Sequence, residues 1–202
     1  MYRIISMQLK NLCDISSGYT ARARLEPLPR VGTPVLQLRD VGPDAEGLGG
    51  KLDKYDLGKL PDRYFVQAGD VVFRSRGEPN TALAIGNRLP EPAAVISPLF
   101  ILRADKERLL PEYLVWAINH PDAQRRLRAK AQGTSLRMIS KAVLGNLDID
   151  LPGLATQKQI ADLDALARQE GSLLREFAAR RESFVSAVLR EVAKAAHQKR
   201  IA

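Results

Sequence analysis

Few side chains in this 202-residue chain have the type and spacing to do chemistry. Asp148 and Asp150 stand two apart in "NLDIDLP". Paired carboxylates can divide general acid and general base work, or hold a metal together. Here they alternate with Leu147, Ile149 and Leu151, a period-two pattern that places both on the solvent face of a strand. Neither His120 nor His197 has a second histidine or a cysteine at ligand spacing, which argues against a metal site. No acidic residue is followed two positions later by lysine, a pairing that nucleases often use. There is no Walker phosphate loop or dinucleotide fingerprint, since "EGLGG" lacks the strand before it and the helix after it. The single cysteine, Cys13, excludes an internal disulfide and a multi-cysteine zinc site. It reads as a small buried apolar residue in a reducing compartment. The chain is therefore not expected to be an enzyme, nor to carry a cofactor or metal.

Polyanion binding has broader support. Lysine and arginine total 31 against 23 acidic residues, a formal net charge of +8. Two clusters concentrate that charge. "RRLRAKAQGTSLRMISK" carries Arg125, Arg126, Arg128, Lys130, Arg137 and Lys141 with no acidic residue. It fits a solvated helix face or a surface that tracks phosphates, with Gly133, Thr134 and Ser135 giving close backbone and hydroxyl contacts. "FRSRGEPN" sets Arg74, Ser75 and Arg76 at a strand end and turn, expected to project outward. Arginine can bond a guanine edge with two hydrogen bonds, and asparagine such as Asn80 can do so with adenine. An ordinary charged turn is the alternative. Further candidate DNA contacts are Thr20 in "SGYT", Arg39 after the strand of "VLQLRD", and Lys51 and Lys54 in the "GGKLDK" loop.

The elements that would position these groups fall into two kinds. The first 105 or so residues read as short strands and turns. These include Pro34–Leu38, Val71–Arg74, Thr81–Ile85 and Leu99–Arg103. Gly42–Arg63, rich in glycine, aspartate and lysine, reads as a long exposed loop. Helices follow, one opened by Pro111 and restarted at Pro121, with Gly133 as a stop. A short basic helix leads into a strand, Asn146–Leu151. Thr156 is expected to cap a final long helix. In it Ile160, Leu163, Ala167, Leu174, Phe177, Phe184 and Val188 recur at spacings of three, four and seven, with polar Glu170 and Arg181 in the same series. Run to about Lys199 it would be on the order of 65 Å long. One small β domain cannot bury such a stripe. A second chain is expected to cover it, making those seven apolar residues the dimerisation set. The start of the chain is too polar for a secretory signal and no apolar run spans a membrane, so a soluble cytoplasmic protein is expected.

The order of these segments resembles the specificity subunit of type I restriction-modification systems. "LCDISSGYT", "VLQLRDV", "AGDVVFRSRGEPNTALAI", "PEYLVWAINHPDAQRRL" and "QGTSLRMISKAVLGNLDIDLPGLATQKQI" follow one another as that family's signatures do. The resemblance implies an α/β (α+β) fold. A β-rich target recognition domain, residues 1–153, would carry packed helices. A coiled-coil-like spacer helix would follow over 154–202. It also implies a non-catalytic subunit that reads double-stranded DNA and docks DNA methyltransferase subunits, in some assemblies with a translocating nuclease. Full members carry two recognition domains and two helices. This chain shows one of each, which implies a half-subunit acting as a homodimer on a bipartite site. A scaffold of a defence assembly that dimerises without reading DNA is the alternative.

Overall fold

The run Val71-Val72-Phe73 is apolar at every position, the mark of a strand covered on both faces. In a computed structural model, which describes residues 5–21, 25–28, 31–42, 52–86, 89, 91–133 and 137–198, it forms β6 (Val71–Arg74). β6 lies inside an antiparallel sheet with β2 (Cys13–Ser17), β7 (Ala82–Ala84) and β9 (Leu99–Ala104), ordered β2-β9-β6-β7. Its side chains alternate between two cores. Val71 and Phe73 join Ile15 and Leu102 beneath the helices α1 (Pro111–Asn119), α2 (Pro121–Lys130) and α3 (Lys141–Gly145). Val72 and Ile101 face the other way, toward Leu36, Val66 and Val95. Those three belong to a second sheet, ordered β4-β3-β8-β5. Its strands are β3 (Thr33–Leu36), β4 (Lys54–Tyr55), β5 (Phe65–Val66) and β8 (Ala93–Val95), with β3 and β8 parallel. A third, two-stranded ribbon pairs β1 (Ile5–Gln8) with β10 (Asp148–Leu151), so the far ends of this part of the chain meet.

The fold is mixed α and β with a long final helix, α4 (Leu154–Gln198), as expected. Several local expectations are corrected. The Gly42–Arg63 segment is not all loop. Its described part contains β4 and a turn of 3-10 helix at Asp62–Tyr64, and Tyr55 is buried with its hydroxyl accepting from Gln37 Nε2 at 2.5 Å. The basic helix begins only at Lys141, where Ser140 Oγ accepts from Val143 N. α2 stops at Lys130 rather than at Gly133. α4 starts at Leu154, two residues before the expected cap Thr156, because Gln157 N already donates to Gly153 O at 3.0 Å. His120 caps α2, its Nδ1 accepting from Asp122 N at 3.3 Å. Asp148 and Asp150 are exposed while Ile149 is buried, as the alternation predicts.

Gln157 is fully buried and uses its whole amide. Oε1 accepts from Leu110 N at 2.9 Å, and Nε2 donates to Arg108 O and Pro152 O, both at 2.8 Å. One side chain thus joins the approach to α1, the exit of β10 and the first turn of α4. Beside it Tyr113 Oη donates to Asp150 O at 2.6 Å.

The chain divides into two units, Met1–Ala161 and Asp162–Ala202. In the first, Ile160 is half-buried against the helical core and Ala161 is buried. In the second, the apolar stripe of α4 is exposed: Leu163, Leu174, Phe177 and Phe184 are each more than 60% accessible. Only short-range pairs such as Arg168–Asp164 at 2.9 Å and Arg180–Glu176 at 2.5 Å decorate it, and such pairs contribute little. No helix among the described residues is long and apolar enough to cross a membrane.

Two outcomes follow for stability. Gln157→Ala leaves two carbonyls and one N–H buried without partners and should cost about 3 kcal/mol in denaturant unfolding. Burial, and then the Asp150 charge, push the Tyr113 hydroxyl from 10.0 up to about 12. The folded chain therefore keeps this proton where the unfolded chain loses it. Its contribution is full below pH 10 and is lost as pH rises through about 12. The stability gap between wild type and Tyr113→Phe, about 1 kcal/mol at pH 8, should shrink between pH 10 and 12.

Candidate nucleic-acid interface

Four connections converge at one edge of the first unit. After β2 the chain must pass tightly over β8, and Gly18 permits it: a Cβ there would lie 2.8 Å from the Ile96 carbonyl carbon. Tyr19 N then donates to Val95 O at 2.7 Å, and Ser97 N returns a bond to Tyr19 O at 2.9 Å. This fixes Thr20, exposed, beside the Ile96–Pro98 turn. On the other side the turn after β6 is stitched to Pro98 and to the chain leaving α2. Ser75 donates to Pro98 O through both N (3.2 Å) and Oγ (2.5 Å). Ile139 N donates to Ser75 O at 2.8 Å, and Gly77 N to Arg137 O at 3.2 Å. Arg76 and Met138 face each other as a bridge, and Met138 also pairs with Gln132. The result is an open cleft of about 290 Å³ lined by Tyr19, Thr20, Arg76, Pro98 and Met138, with Ile96 beneath.

Arg76 lines the cleft, and the segments that carry Arg76 and Met138 are basic. Residues 74–78 and 128–138 carry Arg74, Arg76, Arg128, Lys130 and Arg137 against a single carboxylate, Glu78. Glu78 lies 3.7 Å from Arg128 Nε and 3.6 Å from Arg137 Nη1, so it draws the two basic segments together. All three side chains are about half exposed, so the pairs orient more than they stabilise. Arg74 Nε donates to Arg76 O at 3.1 Å, which lays its guanidinium along the turn. Arg76 and Arg137 remain exposed.

The two basic clusters, some 50 residues apart in sequence, therefore share one surface, and Thr20 lies on it too. Gly133, exposed and at φ 105°, is in the same connection as Arg137. Other candidates lie elsewhere. Ser75, expected to project outward, and Asn80, expected as an adenine contact, are buried. Asn80 Nδ2 donates to Arg74 O at 3.1 Å and its main-chain carbonyl accepts from Gln124 Nε2, so it holds the turn closed. Arg39, in a turn of 3-10 helix, pairs with Asp53, and Lys54 in β4 pairs with Glu91 at 2.5 Å; neither lines this cleft. Lys141 lines a separate hollow with Lys10, Asp14 and Asn146. Lys51, Thr134 and Ser135 lie outside the described residues. Tyr19, Met138 and the pairing role of Glu78 were not anticipated from sequence. A lone acid inside a basic turn was the available signal for Glu78.

No protein-family model and no curated protein matches the chain. Solved structures do match it. The type I restriction-modification S subunit from M. genitalium aligns with a TM-score of 0.56 at 18% identity, over 83% of this chain and 39% of that one. A structure described as showing complex assembly and conformational transition of the type I R-M system gives 0.66 at 18%, over 92% and 43%. The HsdS subunit from Thermoanaerobacter tengcongensis gives 0.60 at 20%, over 85% and 44%. This chain thus has the fold of type I specificity subunits, as the order of its motifs implied, and spans 39–44% of their length.

Gly77 tests the geometry of the rim. Its φ is +88°, and a Cβ would lie 3.0 Å from Arg74 Nη2. Gly77→Ala should cost about 1–2 kcal/mol by chemical denaturation and release the Arg74 guanidinium from the turn.

Proposed function

We propose that this chain is the sequence-specific DNA recognition subunit of a type I restriction-modification system. It acts as a homodimeric half-subunit that reads a bipartite site and docks DNA methyltransferase subunits. The observation that carries the reading is the joining of the two basic clusters by Ser75–Ile139 and Gly77–Arg137 backbone bonds beside a cleft that Arg76 lines. The fold shared with type I specificity subunits supports it. Within this reading the chain is not itself catalytic. Residues 1–153 form the recognition domain and 154–202 the spacer helix.

The division of labour follows from chemistry. Arg76 is exposed at the cleft and free to enter a groove, where a guanidinium can bond a guanine edge with two hydrogen bonds. Arg74, Arg128, Lys130 and Arg137 frame it and suit phosphates, which set register and orientation. Thr20 supplies a hydroxyl from the opposite wall, and Gly133, Thr134 and Ser135 give a close backbone approach. Arg39, Lys51, Lys54 and Lys141 are outlying candidates for phosphate contacts, separate from the cleft. Ser75 and Asn80 serve by holding the turn that presents Arg76. A two-fold dimer presents two such clefts, so the site is a split palindrome.

Selection from a randomised duplex pool by the chain assembled with its methyltransferase should enrich a split palindrome, and failure to enrich any motif sinks the reading. Arg76→Glu with Arg137→Glu should weaken the selected duplex roughly 100-fold or more. It should also lower the slope of log affinity against log salt by about 0.9 for each phosphate no longer neutralised. The alternative is a dimerising scaffold with no DNA readout, and it requires the double variant to leave function intact.

A further inference from the structure

The exposed stripe of α4 contains three charges in register with its apolar residues, of which Glu191 is paired with Lys194. Ile160, Ala167, Leu174, Arg181 and Val188 form one heptad series, and Leu163, Glu170, Phe177, Phe184 and Glu191 the other. Glu170 and Arg181 have no ion-pair partner among the described residues, whereas neighbouring Arg168, Arg180 and Lys194 are each paired within the helix. A charge on a packing seam must meet an opposite charge or lose its hydration uncompensated.

Resting on the homodimer reading above, with its two α4 helices antiparallel, we infer that the register is set by Glu170 of each chain facing Arg181 of the other, about a dyad between Arg175 and Glu176. Antiparallel seams set one heptad series against the other, and in this register every inner layer is complementary. Leu163 meets Val188, and Leu174 meets Phe177. The small Ala167 meets the large Phe184, and Glu170 meets Arg181. The outermost layer, Ile160 against Glu191, falls where Ile160 already packs on its own core and Glu191 pairs with Lys194 at 2.9 Å. The alternatives fail on charge. A parallel, in-register pair sets Glu170 against Glu170 and Arg181 against Arg181. Sliding the antiparallel pair one heptad sets Glu170 against Leu174 and Arg181 against Leu163. Sliding it the other way sets them against Val188 and Phe177. A polar pair on a seam of this kind selects orientation and register rather than adding affinity.

The test is charge exchange in the full chain, read by sedimentation equilibrium with helicity followed by circular dichroism. Glu170→Lys and Arg181→Glu, each alone, put like charges in both charged layers and should raise the dimer dissociation constant roughly tenfold or more. The two together restore opposite charges and should return it to within about threefold of wild type. That recovery also shows that neither change spoils the helix. A dimeric wild type whose double variant is no better than the singles, or whose singles have no effect, overturns the register and leaves the homodimer standing. A monomeric wild type overturns both.

Discussion

Much of the first unit depends on one buried amide. Gln157 belongs to α4 but spends its three hydrogen bonds on Arg108, Leu110 and Pro152. Each of those backbone groups stands at an element boundary, where the helix or strand ladder leaves a group unpaired. An apolar residue of similar size would fill the space and leave all three unsatisfied. The clamp also determines where α4 begins. Gln157 N closes the first turn on Gly153 O while its side chain holds Pro152, so the first turn of α4 is anchored at the end of β10. Because β10 pairs with β1, the same clamp ties that turn to β1.

The cleft is built by the same economy of backbone bonding. Its walls are connections, yet each is held by main-chain bonds: Tyr19 to Val95, Ser75 to Pro98 and Ile139, Gly77 to Arg137. The charged side chains are left unburied and weakly paired. Rigid backbone with mobile cations suits a surface that must accept many phosphate positions and discriminate at few. Ser75 and Asn80 show the cost of judging function from residue type alone. Both have hydroxyl or amide groups suited to bases, and both are consumed in shaping the turn.

How much of this was legible in the sequence depended on the range of the interaction. β6 and β9 read clearly because an apolar run bounded by turns is a local signal. So did α1, with Pro111 at its first turn, and the alternation of β10. β4 and β5, two residues each, were missed because they exist only through partners far away in sequence. β8 was missed for the same reason. The start of α4 was misplaced because a threonine looked like a cap, while the actual cue was the glutamine beside it. For the cleft, the cations were visible as clusters. Their meeting was not, since bonds such as Gly77 to Arg137 have no local signature.

The irregular stripe of α4 gains a meaning from rigidity. A helix advances about 1.5 Å per residue, so in the proposed dimer the two Ala161 residues lie roughly 44 Å apart along the axis. A slip of one heptad changes that by about 10 Å, close to three base-pair steps at roughly 3.4 Å each. A purely apolar seam would tolerate such slips at small cost, because one aliphatic layer resembles the next. A reader of two half-sites at fixed separation cannot tolerate them. Glu170 and Arg181 weaken the seam where every layer could have been apolar, and they make one separation better than its neighbours. On that argument the two polar interruptions, which look like defects in a coiled coil, are the residues that set the distance being measured.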